Sequence, residues 1–185
     1  MKKRCEWAKI EPNTTYHDKE WGIPQHSDKK LFEFLILEGA QAGLSWSTIL
    51  NRRDGYRLAF SNFDAVKVSK YTPNHVKKLI QNKAIIRNKL KINSAINNAR
   101  QFIKIQKEFG SFDEYLWKFV NHKPIKNKFK KYSDLPSYTI ISKKLSQDLK
   151  KRGFNFVGPT ICYALMQAVG MVNDHTIDCF RYSKL

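Results

Sequence analysis

Apolar residues along this chain recur at intervals of three and four, and no convincing series of alternating strand residues interrupts them. That period belongs to helices laid on a shared core, so the chain is constrained to an all-α fold. Start and stop residues divide it. Ser27 can cap a helix through LFEFLILEGAQAG, and Ser45 another through WSTILNRR. Thr72 followed by Pro73 opens a third, with proline in its first turn. A long helix fits Asn88 to about Glu108 and ends before Gly110. Ser111 then caps FDEYLWKFV, where Asp113 and Glu114 suit the positive end of the helix dipole. A basic, irregular stretch follows, HKPIKNKFKKYSDLPS. Two more helices are expected around Thr139–Lys151 and Pro159–Val169, before the tail NDHTIDCFRYSKL. With no repeat and no low-complexity linker, the 185 residues suit one domain spanning 1–185, or two packed helical subdomains with a hairpin at about 139–169.

One of these helices carries an anomaly. At about 100° per residue, Leu31, Phe34, Leu35 and Ala42 share a face, and Glu38 falls in its middle. Glu33, Lys29 and Lys30 fall on the other side. Glu38 is therefore expected to point into the core or a pocket, unlike Glu33. A buried, unpaired carboxylate costs several kcal/mol, so it needs a partner or a task. Capping a neighbouring helix or pairing with a buried Arg would satisfy it as well as function would. Trp46 lies eight residues on, and Tyr16 and Trp21 fall in what reads as an N-terminal loop. Aromatic rings around an acid suit a flat, electron-poor ring: faces stack, and the acid accepts N–H bonds. Plain core packing is the competing reading for each ring.

Charge narrows the partners. The formal net charge is +18 at pH 7, which draws the chain toward polyanions, nucleic acid foremost. Much of it is lysine, which a biased genome composition also produces. The segment 123–152 holds ten Lys or Arg against two acids. It runs into KKRGFNFVGPTICYALMQAVG, where Gly153 ends one helix and Gly158, before Pro159, begins the next. Gly158 leaves backbone N–H groups bare at a helix N-terminus, a ready phosphate site, with Lys150, Lys151 and Arg152 beside it. An ordinary glycine-capped helical hairpin has the same pattern.

Three cysteines, Cys5, Cys162 and Cys179, make no complete disulfide set. No secretory signal and no membrane-length apolar run is visible, so a cytoplasmic protein with reduced thiols is expected. Cys5 and His17 near the start, with His175 and Cys179 near the end, form a possible Cys2His2 set. The last two are four apart, as on one turn of a helix. Two Cys and two His close a tetrahedral zinc site, which is structural and would clip the termini together. Such a site leaves no open position for a metallohydrolase. Cys and His also pack without metal.

Taken in order, RCEWA, YHDKEWGIP, KLFEFLILEGAQAGLSW, IIRNKLKINSAINNAR, FVNHKP, KKRGFNFVGPTICYALMQA and VNDHTIDC resemble the DNA-3-methyladenine glycosylase I family. The resemblance spans about Arg4 to Cys179 and implies a helix-hairpin-helix glycosylase fold with a zinc site joining the termini. It implies Cys5, His17, His175 and Cys179 as ligands of one structural Zn2+. It makes Glu38 the base-recognition acid, with Tyr16, Trp46 and Trp21 around the base. The hairpin residues Gly153, Gly158, Lys151 and Arg152 would contact the DNA backbone. The implied activity is base-excision repair: hydrolysis that frees 3-methyladenine from double-stranded DNA, by a monomer without lyase activity. Leu90 and Ala164 depart from the expected pattern, and Asp174 reads as structural. A non-catalytic, zinc-stapled nucleic-acid-binding module would explain the charge, hairpin and metal, but not Glu38.

Overall fold

The structure, a computed structural model, describes residues 2–185 and is mostly helical. Near the N-terminus α1 (Asn13–Lys19) follows a short 3-10 turn. Tyr16 therefore sits on a helix, with His17 beside it, and not in the expected loop, while Trp21 lies in the turn just after that helix. The seven-residue helix holds few apolar positions, too short a record for periodicity to reveal.

The central helix is α2 (Asp28–Gln41). It starts at Ser27 as expected, although the Ser27 side chain makes no capping bond. Asp28 instead reaches across the fold: its carboxylate accepts from Gln106 Nε2 at 2.6 Å and from the backbone N–H groups of Phe112 and Asp113, both at 2.9 Å. One carboxylate thus anchors the start of α2 to the N-terminus of a later helix.

The single helix expected through WSTILNRR is two. Ser45 caps α3 (Trp46–Leu50), its side chain accepting from Thr48 N at 3.2 Å. The chain breaks at Arg52, whose ψ is 3°, and resumes as α4 (Arg53–Ala59). The break turns Arg53 inward, where its guanidinium meets Glu33 at 2.8 Å and Glu20 at 2.8 Å. Two short helices follow, α5 (Ala65–Ser69) and α6 (Pro73–Gln81), the latter with proline in its first turn.

The long helix α7 (Lys89–Phe109) runs between Asn88, whose side chain caps it at 3.1 Å, and Gly110. Ser111 caps α8 (Phe112–Trp117), which tightens to 3-10 geometry over Lys118–Val120. The basic stretch is less irregular than its composition suggests. Its strand β1 (Ile125–Lys126) pairs in parallel with β2 (Val172–Asn173), which fixes the stretch against the C-terminal region.

Between them, α9 (Ile140–Lys151) and α10 (Pro159–Ala168) form the expected hairpin. Phe154 and Val157 in its turn are buried, and Ser146 Oγ donates to Val157 O at 2.6 Å. Helix α7 holds the same turn from outside. Asn98 acts as a surrogate backbone, donating to Asn155 O at 2.9 Å and accepting from Asn155 N at 2.8 Å. Asn97 Nδ2 donates to Gly153 O at 2.7 Å. Burial of the apolar faces of α2, α7, α8, α9 and α10 builds one hydrophobic cluster, from Cys5 to Cys179. Leu90 is exposed on the first turn of α7, so its departure from the expected pattern lies on the surface. No described helix is long and apolar enough to cross a membrane.

Candidate active site

Glu38 and Glu33 are both buried, at 5% and 4% exposure, which corrects the expectation that only Glu38 faces inward. A helical wheel sees one helix alone; here α4 covers the second face and supplies cations to it. Glu33 receives Arg53 at 2.8 Å, Arg57 at 2.9 Å and Lys30 at 3.0 Å. Glu38 has no such company. Among the described residues no cation and no hydrogen-bond donor reaches it, and burial pushes its carboxyl up to about 8. It faces a cavity of about 630 Å³.

The cavity has aromatic walls. Tyr16 from α1 and Trp46 from α3 stand 5.3 Å apart between ring centroids, and both line it with Trp21 and Trp7. Trp7 and Trp21 meet edge to face at 5.0 Å. Burial, and then the Glu38 carboxylate, hold the Tyr16 hydroxyl well above its usual range. The Tyr16 hydroxyl, Trp46 Nε1 and Asn13 Oδ1 are buried with no partner among the described residues. Such atoms are rare in a folded interior. Three of them, with an unpaired acid, belong to residues that line one cavity, so polar groups there are open to a ligand or to water.

The opposite wall comes from α10 and the basic stretch: Thr160, Tyr163, Ala164 and Gln167, with Tyr132, Ser133 and the segment Leu135 to Ser137. Ala164 thus lies on the cavity itself, where its methyl adds an apolar patch to the wall. Asp174 lies behind this wall. Its carboxylate accepts from the Tyr163 hydroxyl, from Gln167 Nε2 at 2.8 Å and from Asn127 Nδ2 at 2.7 Å. Asp174 is absent from the cavity lining, and three donors occupy it. Sequence reasoning missed Trp7, Asn13, Gln41, Tyr163 and Gln167. Gln41 was within reach, because it lies three residues after Glu38 and so beside it on the helix. The others depend on which elements pack together.

The Cys2His2 set does assemble. Ligand atoms of Cys5, His17, His175 and Cys179 all lie within 4.8 Å of one another, and all four residues are buried. Cys179 Sγ is 3.4 Å from His17 Nε2 and 3.6 Å from His175 Nδ1, and Cys5 Sγ is 3.6 Å from His175 Nδ1. Tetrahedral Zn–S and Zn–N bonds of about 2.0–2.3 Å place neighbouring ligand atoms roughly 3.3–3.8 Å apart, and these three separations match such an ion. Asp18 orients His17 through Nδ1 at 2.8 Å and is itself held by Arg4, the kind of outer support that metal-binding imidazoles have. The expected helical turn from His175 to Cys179 is absent; a tight turn, with Cys179 N donating to Thr176 O at 2.8 Å, brings the two together instead. Trp21 joins the two sites, meeting His175 edge to face at 4.6 Å.

On the hairpin, Gly158 is the N-cap of α10 with no side-chain capping bond, and open space lies where a Cβ would stand. Lys151 is exposed, and Gly153 turns the chain at φ +85°. Arg152 is already paired at the surface: Glu108 takes it at 2.7 and 3.1 Å and Asp148 at 2.8 Å, over the rings of Phe109 and Tyr115.

A cationic helical scaffold around an aromatic cavity with one unpaired acid suits a protein that takes up a flat, electron-poor ring from a polyanion. The chain belongs to the methyladenine glycosylase family, whose sequence model matches residues 7–182. It is 47% identical over 180 residues to DNA-3-methyladenine glycosylase 1 of Escherichia coli (strain K12), covering 97% of this chain and 96% of that one. The fold matches a crystal structure of 3-methyladenine DNA glycosylase I with a TM-score of 0.94 at 44% identity, covering 96% of this chain and 98% of that one. It also matches a variant of 3-methyladenine DNA glycosylase I solved in complex with 3-methyladenine, with a TM-score of 0.93 at 34% identity and 96% of each chain covered.

Proposed function

We infer that this chain removes 3-methyladenine from alkylated double-stranded DNA by hydrolysing its N-glycosidic bond. The free base and an abasic site are the products. The observation that carries this reading is Glu38, buried without a partner in the aromatic cavity. A base methylated at N3 is cationic and already a good leaving group, so the protein needs to bind and orient more than to activate. The nucleotide swings out of the duplex into the cavity. Tyr16 and Trp46, with Trp21 behind them, enclose the ring, and Glu38 accepts N–H bonds from the adenine edge. Ionised Glu38 favours the cation over a neutral base, because a charge in a dry cavity is strongly felt. As the C1′–N9 bond breaks, its electron pair returns to the ring and neutralises it. Water adds to C1′ and loses its proton to solvent. No lysine is assigned as nucleophile, so strand cleavage is not expected.

The whole chain acts as one catalytic domain, a cytoplasmic monomer. The α9–α10 pair serves as a helix-hairpin-helix element: the bare N–H groups at Gly158, the turn at Gly153 and the Lys151 ammonium grip the DNA backbone, while Arg152 braces the hairpin. Cys5, His17, His175 and Cys179 would hold one structural Zn2+, which ties the chain ends together and supplies no reacting group. Chromatography of bases released from methylated DNA tests the activity. Free 3-methyladenine is expected with the intact protein and is lost with Glu38→Gln; release of no base by the intact protein overturns the reading.

A further inference from the structure

Lysines in so cationic a protein read by default as phosphate contacts. Lys91 does not fit that pattern. It stands in the first turn of α7, where the Asn88 cap fixes its backbone at 3.1 Å. Its side chain crosses to another helix: Nζ donates to Ala40 O at 2.8 Å and to Ala42 O at 2.7 Å. These are carbonyls at the C-terminus of α2, where four oxygens lack partners within the helix and the dipole is negative. Burial lowers the ammonium's pKa, in keeping with an inward rather than a solvated end.

The turn that Lys91 grips joins Glu38 to Trp46. Gly43 reverses the chain at φ +77°, where a residue with a Cβ is strained. Leu44 N donates to Gln41 O at 2.7 Å, and the Gln41 side chain returns a bond to Leu44 O at 2.6 Å. Ser45 then caps the helix that carries Trp46. Gln41 fastens the turn from the cavity side, and Lys91 fastens it from behind.

We propose that Lys91 is a positioning residue: by bridging the Ala40 and Ala42 carbonyls to α7 it fixes the α2–α3 turn, and so sets Trp46 against Glu38 across the base cavity. Its ammonium serves the cavity's geometry rather than a phosphate. The inference deepens the glycosylase reading and rests on it for its kinetic consequences, though not for its structural one.

The test compares the intact chain with Lys91→Met, Lys91→Arg and, as a charge control on the same helix, Lys89→Met. Lys89 is exposed. Lys91→Met should speed amide hydrogen exchange in residues 42–45. It should weaken binding of free 3-methyladenine, followed by tryptophan fluorescence, at least tenfold, and lower kcat on methylated DNA by a similar factor. The slope of log(kcat/KM) against log salt should not change. Lys91→Arg, whose guanidinium spans two acceptors, should restore most of each. Lys89→Met should keep kcat. Should the Met variant not stay folded, Lys91→Gln is read the same way. Unchanged exchange at 42–45, or a loss confined to KM with the salt slope reduced by about one, the mark of a phosphate contact, overturns the proposal. Failure of the intact chain to release any base would overturn the glycosylase reading instead, and the exchange measurement would still decide the role of Lys91.

Discussion

Glu33 and Glu38 leave the same helix and are equally buried, yet Glu33 is surrounded by Arg53, Arg57 and Lys30 while Glu38 meets only a cavity walled by rings. Five residues of α2 separate a carboxylate that holds the fold together from one that the fold tolerates at a cost. Opposite consequences follow for the two.

Glu38→Gln should abolish most excision and, at alkaline pH, raise stability. The native carboxyl sits near 8 against an ordinary 4.5. A raised carboxyl pKa means that the folded state holds its proton while the unfolded chain has lost it. The stability is therefore fully present below about 4.5 and is lost as pH rises toward 8. At about 1.4 kcal/mol per unit, the loss is at most several kcal/mol. Thermal melts from pH 5 to 9 should show a falling Tm for the native chain and a flatter profile for the variant. Parallel profiles would rule out a buried, protonated Glu38.

The same acid sets the pH dependence of activity. If the ionised form receives the cationic base, kcat/KM should climb with pH on a limb near 8, because kcat/KM reports the free protein. The limb for kcat should lie lower, since a bound cation stabilises the carboxylate. Glu38→Gln should lack both limbs. A kcat/KM profile flat from pH 6 to 9 in the native chain would contradict the assignment.

Glu33→Gln should do the reverse of Glu38→Gln. Burial alone would raise the Glu33 carboxyl, but the Arg53 guanidinium overrides it and holds the group below its ordinary range. Removing the charge leaves Arg53, whose side chain is 7% exposed and whose Nη2 has no partner among the described residues, with the half-exposed Glu20 as its remaining counter-charge. Breaking a buried pair from one side costs about 3–5 kcal/mol. Denaturant unfolding should show a loss of that order; a change within about 0.5 kcal/mol, as at an ordinary surface site, would show that the pair is replaceable.

Zinc should be present at about one per chain, as a closed four-ligand site requires. Chelation at elevated temperature, or Cys179→Ser, should lower Tm markedly, because metal binding of this kind is folding energy. Purified protein that is metal-free, fully active and as stable as the metal-loaded form would dispose of the metal.

Gly158→Ala separates DNA contact from folding. The position has φ −63° and open space around a built Cβ, so alanine meets nothing inside the protein. Its methyl would stand among the N–H groups offered to a phosphate. Tm should be unchanged while KM for methylated DNA rises several-fold. An unchanged KM would remove this helix terminus from the DNA interface.

Much of the scaffold was legible because its signals are local. Caps, prolines and apolar spacing placed the starts of α2, α3, α6 and α8 and the hairpin of α9 and α10, since each depends on a few adjacent residues. The weak points were short or broken helices. Residues 13–19 offer too few apolar positions to show a period, and the break at Arg52 answers to Glu33 and Glu20, which lie far back in the chain. Glu38 could be singled out because an acid inside an apolar stripe is visible on the helix itself.

By itself the sequence determined the all-helical character, the inward placement of Glu38 and the types of side chain available for a metal and for a base. Only the tertiary structure decided which acid is paired, how His175 meets Cys179 without a helix, and which side chains close the cavity around Glu38. The reason is physical. Periodicity records each element's own preference for core or water, but a charge is satisfied, or left unsatisfied, by whatever another element brings to within about 3 Å, and no stretch of chain carries that information alone.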